Sequence, residues 1–249
     1  MSLDKILQSQ GFGTRKWCRQ LIADGAVCVG GEPATHYDSV FVPEGLEFAV
    51  HDEAWVYRAH VYLALNKPSG YECSRRPGHH PAVLTLLPEQ FAWRDVQPVG
   101  RLDHDTTGLL LLSDDGAFIH ALSSPKRHVP KVYVATTRDP VTPELLAQLR
   151  DGVQLHDEPA PLTARARQLD TQRLEIVLEQ GKYHQVKRML AAAGNHCDAL
   201  CRVAIGGITL DALELAEGAW CHLDPTRLWL INQVHSNTRS MPPAFAAST

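Results

Sequence analysis

Four consecutive leucines, Leu109 to Leu112, are the longest uninterrupted aliphatic run in the chain, and no helix leads into them. The approach is DVQPVGR, in which Pro98 and Gly100 forbid a regular helix. A short apolar run bounded by turn formers reads as a buried strand. It is far shorter than the roughly 20 residues that cross a bilayer as a helix. The other strand-like segments are VYLALNKPSGY from Val61, KVYVATT and RLEIVLE, and helix-like segments fall at 115–122, 142–150 and 183–193. Strands and helices do not alternate regularly, so a doubly wound parallel sheet is disfavoured and a mixed α+β domain is expected.

With 249 residues the chain can hold one large domain, or a small one plus a medium one. A formal net charge of −4 means that any nucleic-acid binding must come from local basic patches. The six cysteines form no C-x-x-C pair and show no paired metal-ligand spacing, and His79-His80 lack a nearby partner for an ion, so no metal is expected. With no signal peptide in view, reduced thiols in a cytoplasmic protein are the expectation, with no membrane association.

The first 50 residues read as a separate unit. Leu3, Ile6 and Leu7 have helical spacing, Gly11 and Gly13 break that helix, and Thr14 caps a second helix that Gly25 stops. Trp17, Cys18, Leu21 and Ile22 form its apolar stripe, with Arg15, Lys16 and Arg19 on the other side. AVCVGGEPA then reads as strand, Gly-Gly turn, strand. LDKILQSQGFGTRKWCRQLIADGAVCVGGEPA resembles the S4 RNA-binding domain, with Val29-Gly30-Gly31 where that family usually has Val-Asn-Gly. The resemblance implies that Lys5, Arg15, Lys16 and Arg19 contact RNA phosphates. The expected organisation is an S4-like domain over 1–50, a linker over 51–60, a second domain over 61–234 and a disordered Ser/Pro/Ala-rich tail over 235–249.

Just before the leucines stand two acids two residues apart, Asp103 and Asp105, in GRLDHDTTGLLLL. Asp103, Asp105, Thr107, Gly108 and Asp114 match positions of a calcium-binding EF-hand loop. That loop needs an incoming helix, which Pro98 and Gly100 prevent, and its interior would have to hold the leucines. D-x-D-x-T also occurs in aspartyl phosphatases, but there it follows a hydrophobic strand, whereas here it precedes one. A third possibility is a single reactive aspartate beside a cation, since Arg101 and Asp103 share a face of an extended segment. On local grounds a surface turn with an ion pair stays open beside it.

PVGRLDHDTTGLLLLSDDG resembles the signature of the RsuA-type pseudouridine synthases. Further motifs of that family follow in order along about residues 1 to 223: Asn66 to Gly70, Lys131-Val132-Tyr133, EQGKYHQVKRML over 179–190 and LCRVAIGGITL over 200–210. The resemblance implies an α+β fold with a mixed, mainly antiparallel sheet and a catalytic aspartate, here Asp103. The reaction it implies isomerises uridine to pseudouridine in ribosomal RNA without cofactor or metal, by a monomeric enzyme. GVQLHDE, GKYHQVKRM, AAAGNH and RVAIGGITLDA favour the small-subunit RNA, by resemblance its uridine 516. A large-subunit target, or a catalytically silent S4-domain assembly factor, stands as the alternative.

Lys187 is the expected partner of Asp103, at the border of a stripe formed by Val186, Met189, Leu190 and Ala193, with His184 and Arg188 further round the helix. Tyr133 would stack on a flipped base, and the resemblance implies that Leu200 packs on the uracil face. Arg101 would fill the gap left by the base or hold a phosphate. Arg188, Arg202, Lys126 and Arg127 are further phosphate candidates. Two ionised acids so close together would disturb one another. Asp105 and Thr106 are therefore expected to bond turn amides and to face away from the substrate.

Overall fold

A computed structural model describes residues 1–123 and 128–231. The expected tail over 235–249, like Lys126 and Arg127, lies outside the described residues. The N-terminal unit begins with two helices, α1 (Leu3–Ser9) and α2 (Arg15–Ala23). The Thr14 hydroxyl caps α2 by accepting the Trp17 backbone N–H at 3.3 Å. The strands β1 (Val27–Val29) and β2 (Glu32–Pro33) form the hairpin across Gly30-Gly31, both at positive φ. Two more strands, β3 (Glu47–Val50) and β4 (Glu53–Val56), complete an antiparallel sheet in the order β2-β1-β3-β4. Residues 51–60, expected as a linker, therefore hold a turn and β4, and the N-terminal sheet runs on to Val56.

Leu3, Leu7, Phe12, Cys18, Leu21 and Ile22 close over this sheet with Phe48 and Val50. Trp17 does not join them and is 58% exposed, contrary to its place in the apolar stripe. It stands in the first turn of α2, where helical side chains lean back toward the N-terminus. Its ring lies beside Gly13, where an added Cβ would sit 3.2 Å from the indole.

The second unit is built on one large sheet. Its strands are β5 (Tyr62–Lys67), β6 (Gln97–Pro98), β7 (Thr107–Ser113), β8 (Lys131–Thr137), β9 (Arg165–Gln168), β10 (Arg173–Leu178), β11 (Cys197–Ile205), β12 (Ile208–Thr209) and β13 (Trp220–His222). The spatial order is β13-β5-β7-β11-β8-β10-β9, with β12 on β11 and β6 on β7. Every pairing is antiparallel except β7 with β11, in agreement with a mixed, mainly antiparallel sheet. Around it stand α3 (Glu89–Trp93), α4 (Gly116–Ser123), α5 (Pro143–Asp151), α6 (Gln185–Ala192), α7 (Leu210–Leu213) and α8 (Pro225–Ile231).

The leucine run is the middle of β7, and both faces of the sheet are covered there. Leu110 and Leu112 enter one core with Leu63, Leu65, Val186 and Met189. Leu109 and Leu111 enter another with Ala64, Ile205 and Ile208. This two-sided burial is why the strand reads as continuous leucine and not as an alternation. Each buried leucine contributes about 1.5–3 kcal/mol of transfer free energy. Gly108 lets β7 reach β11, because a Cβ there would lie 2.3 Å from the Arg202 carbonyl oxygen.

The two units meet at Arg94, whose side chain is buried. Its guanidinium donates to Gln10 Oε1 at 2.7 Å, to the Arg58 carbonyl at 2.9 Å and to Asp114 Oδ2 at 2.9 Å. Gly11 abuts the Gln90 carbonyl so closely that any Cβ would overlap it at 2.0 Å. The N-terminal unit thus rests directly on α3. No described helix is long and apolar enough to cross a membrane.

Candidate active site

Asp103 sits in the turn between β6 and β7, closed by the Thr106 N–H donating to the Asp103 carbonyl at 3.1 Å. Two buried cations hold this turn from below. Lys67, at the end of β5, is fully buried, and its ammonium donates to the carbonyls of Pro68, His104 and Thr106 at 2.9, 3.1 and 2.9 Å. Burial pushes its pKa down, against the pull of Asp105 and Asp103. Arg202, on β11, donates through Nε to the Leu109 carbonyl at 2.7 Å and through Nη1 to the Arg101 carbonyl at 3.5 Å. The backbone on both sides of Asp103 is thereby fixed by charge-assisted hydrogen bonds.

Arg202 is therefore a buried structural cation, and the expectation that it meets a phosphate is corrected. It lies on the strand that Gly108 brings close to β7, so its Nε and Nη1 are taken by backbone carbonyls there. The Arg202 Nη2 and the Thr106 hydroxyl are buried with no hydrogen-bond partner among the described residues. The expectation that the Thr106 hydroxyl bonds a turn amide is corrected as well: its backbone closes the turn, and its side chain points into the interior.

Above the turn lies the start of α6. Lys187 Nζ stands 3.6 Å from Asp103 Oδ2, so the two residues expected as partners are brought together. The same ammonium is closer to Asp105, donating to Oδ1 at 2.6 Å. Asp105 thus faces the same cation as Asp103, which overturns the expectation that it turns away. Burial would raise the Asp105 pKa, but the hydrogen bond and charge of Lys187, with His104 and a backbone N–H, together outweigh it and the net shift is downward.

His184 also faces Asp103, with Nε2 at 3.1 Å from Oδ1, where sequence reasoning directed it away. The reason is its backbone. His184 is the N-cap of α6 and adopts a left-handed conformation with φ 47°, so the helical periodicity does not apply to it. Its ring stacks on Tyr183 with centroids 3.8 Å apart. No local sequence signal marks a left-handed histidine at that cap.

A cavity of about 650 Å³ opens in front of Asp103, lined by Arg101, Lys131, Tyr133, Lys182 and His184 among others. Asp103, Tyr133 and Leu200 together line a smaller adjoining hollow. Tyr133 and Leu200 are buried on neighbouring strands, β8 and β11. Arg101 is exposed at the mouth. The rim opposite is the loop 72–80. There the Glu72 carboxylate accepts the N–H groups of Gly78, His79 and His80, each at 3.0 Å, which lowers its pKa to about 2. His80 in turn stacks on His104 at 4.4 Å. Arg188, another expected phosphate contact, is paired with Asp157 and donates to the Tyr183 carbonyl at 3.2 Å.

In the N-terminal unit the expected RNA-binding residues divide into two pairs. Arg15 and Arg19 both donate through Nε to Asp4 Oδ2, at 2.7 and 2.8 Å, and Arg19 also lies 4.4 Å over the Tyr37 ring. Burial would raise the pKa of Asp4, but hydrogen bonds from Ser2, Arg15 and Arg19 hold it well below the usual carboxylate range. Lys5 and Lys16 are exposed.

Residues 61–192, which carry Asp103, Tyr133 and Lys187, match the RNA pseudouridylate synthase family. The chain belongs to this family. Residues 1–40 match the S4 domain. Among curated relatives, ribosomal small subunit pseudouridine synthase A of Escherichia coli K12 is 40% identical over 231 residues, covering 88% of this chain and 95% of the relative. An uncharacterized RNA pseudouridine synthase of Bacillus subtilis is 35% identical over 238 residues, covering 94% and 99%. A crystal structure of a pseudouridylate synthase, 33% identical, superposes with a TM-score of 0.65 over 93% of this chain and 99% of that one. The protein is accordingly a pseudouridine synthase with an N-terminal S4 domain, and the cavity beside Asp103 is the candidate place for its target uridine.

Proposed function

We propose that the enzyme isomerises a uridine of small-subunit ribosomal RNA, by family resemblance uridine 516, with Asp103 as the reacting carboxylate. The observation that carries the reading is the convergence of Asp103, Tyr133 and Leu200 on one hollow, with Lys187 reaching the Asp103 carboxylate from α6. In the isomerisation the N1–C1′ glycosidic bond breaks, the uracil turns over, and C5 bonds to C1′, C5 giving up its proton and N1 gaining one. No atom is gained and no redox change occurs, so the chemistry asks for no cofactor.

A carboxylate on a turn anchored from below needs little reorganisation to meet the sugar–base junction. Tyr133 and Leu200 offer flat and apolar surface to a base taken out of its stack, and Arg101 at the mouth is free to occupy the space that base leaves. The S4 domain would dock the RNA backbone through Lys5 and Lys16, with Arg15 and Arg19 as further contacts where their bonds to Asp4 leave donors over. The small-subunit target is supported by the 40% identity to the Escherichia coli enzyme. A monomer acting in the cytoplasm completes the reading.

The test incubates the protein with small- and large-subunit RNA and maps pseudouridine on each. Pseudouridine at one small-subunit position, lost in Asp103→Asn, is the expected result. Modification of large-subunit RNA alone would overturn the target. Full RNA affinity with no pseudouridine on either RNA would overturn catalysis and favour an assembly factor.

A further inference from the structure

Resting on that proposed function, we infer that Glu72 is a positioning residue: it folds loop 72–80 into the cavity wall on which the RNA strand flanking the target uridine rests. This one residue closes the loop twice. At the base its backbone N–H donates to the Pro81 carbonyl at 2.9 Å, and the Val83 N–H donates to the Glu72 carbonyl at 2.9 Å. At the tip its carboxylate accepts three successive N–H groups, from Gly78 on one oxygen and from His79 and His80 on the other. Convergent backbone N–H groups of this kind form a nest for an anion. Here the chain fills the nest with its own side chain.

The loop so held is tied to both neighbours of Asp103. The Leu102 N–H donates to Cys73 Sγ at 3.5 Å, and the Gly70 N–H donates to the His104 carbonyl at 2.8 Å. The His80 ring stacks on the His104 ring, 4.4 Å away and 7° from parallel. His80 is the last of the three N–H donors, so the Glu72 carboxylate fixes the backbone that carries this stack. Glu72, His79, His80 and His104 line the same cavity as Asp103. Arg76 and His79 are exposed on the loop. Imidazole rings and an exposed guanidinium suit a flanking nucleotide, because they stack on bases and donate to phosphate oxygens.

Without the carboxylate the three N–H groups would turn to water, and the wall would lose its single conformation. Bound RNA would then have to order the loop, and that cost falls on affinity. The reacting groups are held by other means. Lys67 and Arg202 fix the Asp103 turn, and Lys187 comes from α6.

The experiment compares the wild type, Glu72→Gln, His80→Ala and the double variant on small-subunit RNA, by direct RNA binding and by single-turnover pseudouridine formation at rising enzyme concentration. Glutamine keeps the size of Glu72 and puts an amide donor where an N–H group needs an acceptor. For Glu72→Gln the expected result is RNA binding weakened about tenfold, the scale of one charge-assisted hydrogen bond. Its rate at saturation should stay within about twofold of the wild type, the mark of lost uniform binding. The double variant should bind no more weakly than the weaker single variant, because both changes act on one wall. Equal binding by Glu72→Gln and the wild type overturns the inference, and so do losses that add in the double variant. A lowered melting temperature with binding and saturated rate falling together marks a merely structural residue and overturns it too. A wild type that binds the RNA but forms no pseudouridine overturns the proposed function, while the binding comparison still decides the role of Glu72.

Discussion

The molecule contains two clusters of the same ingredients put to different ends. In the N-terminal unit Asp4 is fully buried, and one of its oxygens receives two arginines at 2.7 and 2.8 Å. In the catalytic unit Asp103 and Asp105 stay partly open to solvent and share a single lysine. The first has more cation than acid and is closed, so it joins α1 to α2. The second has two carboxylates competing for Lys187, with His184 alongside, and opens on a cavity. An acid saturated by its partners builds a fold, and an acid left short of them can do chemistry.

The sharpest break in that comparison is Asp103→Asn. Pseudouridine formation should fall by at least about 1000-fold, the scale expected on removing a reacting group, while the melting temperature stays near that of the wild type. Release of tritium from C5-labelled uridine measures the first, and calorimetry the second. Next comes Lys67→Met, which leaves the carbonyls of Pro68, His104 and Thr106 without their donor. Unpaired buried carbonyls cost about 1–3 kcal/mol, so urea denaturation should show a lower midpoint, with activity reduced because the Asp103 turn loses its anchor.

Asp4→Asn should cost a similar or smaller amount, about 1–2 kcal/mol, because the released arginines can turn to water. Its pH dependence identifies it. The depressed pKa of Asp4 means that its stabilisation is fully present above the ordinary carboxylate value and is lost as pH falls through the folded-state value. Urea midpoints measured from neutral pH down into the acid range should therefore drop less steeply in Asp4→Asn than in the wild type. The smallest effect belongs to Lys5→Ala and Lys16→Ala. Each should lower the salt dependence of RNA binding by about 0.7–0.9 in log–log slope, one phosphate contact, with little change in single-turnover rate at saturating enzyme.

Much of the local structure was legible. Thr14 before α2, Gly30-Gly31 between β1 and β2, and the leucines of β7 announced their elements because capping, turn and burial signals are short-range. Asp103, Tyr133 and Lys187 were singled out through motif order, and the fold brings Tyr133 to the hollow beside Asp103 and Lys187 within 3.6 Å of its carboxylate. The errors fell where helix-end geometry or a neighbour distant in sequence decides. Trp17 was assigned to a core that its place in the first turn directs it away from. His184 was read by helical periodicity although it is a left-handed cap. Arg202 was taken for a surface contact although β7 and β11 close around it.

What the sequence by itself determined is therefore the set of elements and the family chemistry: a leucine strand that must be covered, a capped basic helix, and an aspartate in GRLDHDTTG. Only the tertiary structure decided which charges are spent and which remain available. Burial and distance set the strength of an ion pair, and both depend on chain segments brought together from far apart. Asp4 meets Arg15 and Arg19 from only 11 and 15 residues away on the next helix, whereas Lys187 reaches Asp103 and Asp105 from more than 80 residues away. Spacing alone put the two acids on one face of an extended chain, and their repulsion was expected to turn Asp105 away. The fold made one the inner carboxylate and the other the nearer partner of the cation above them.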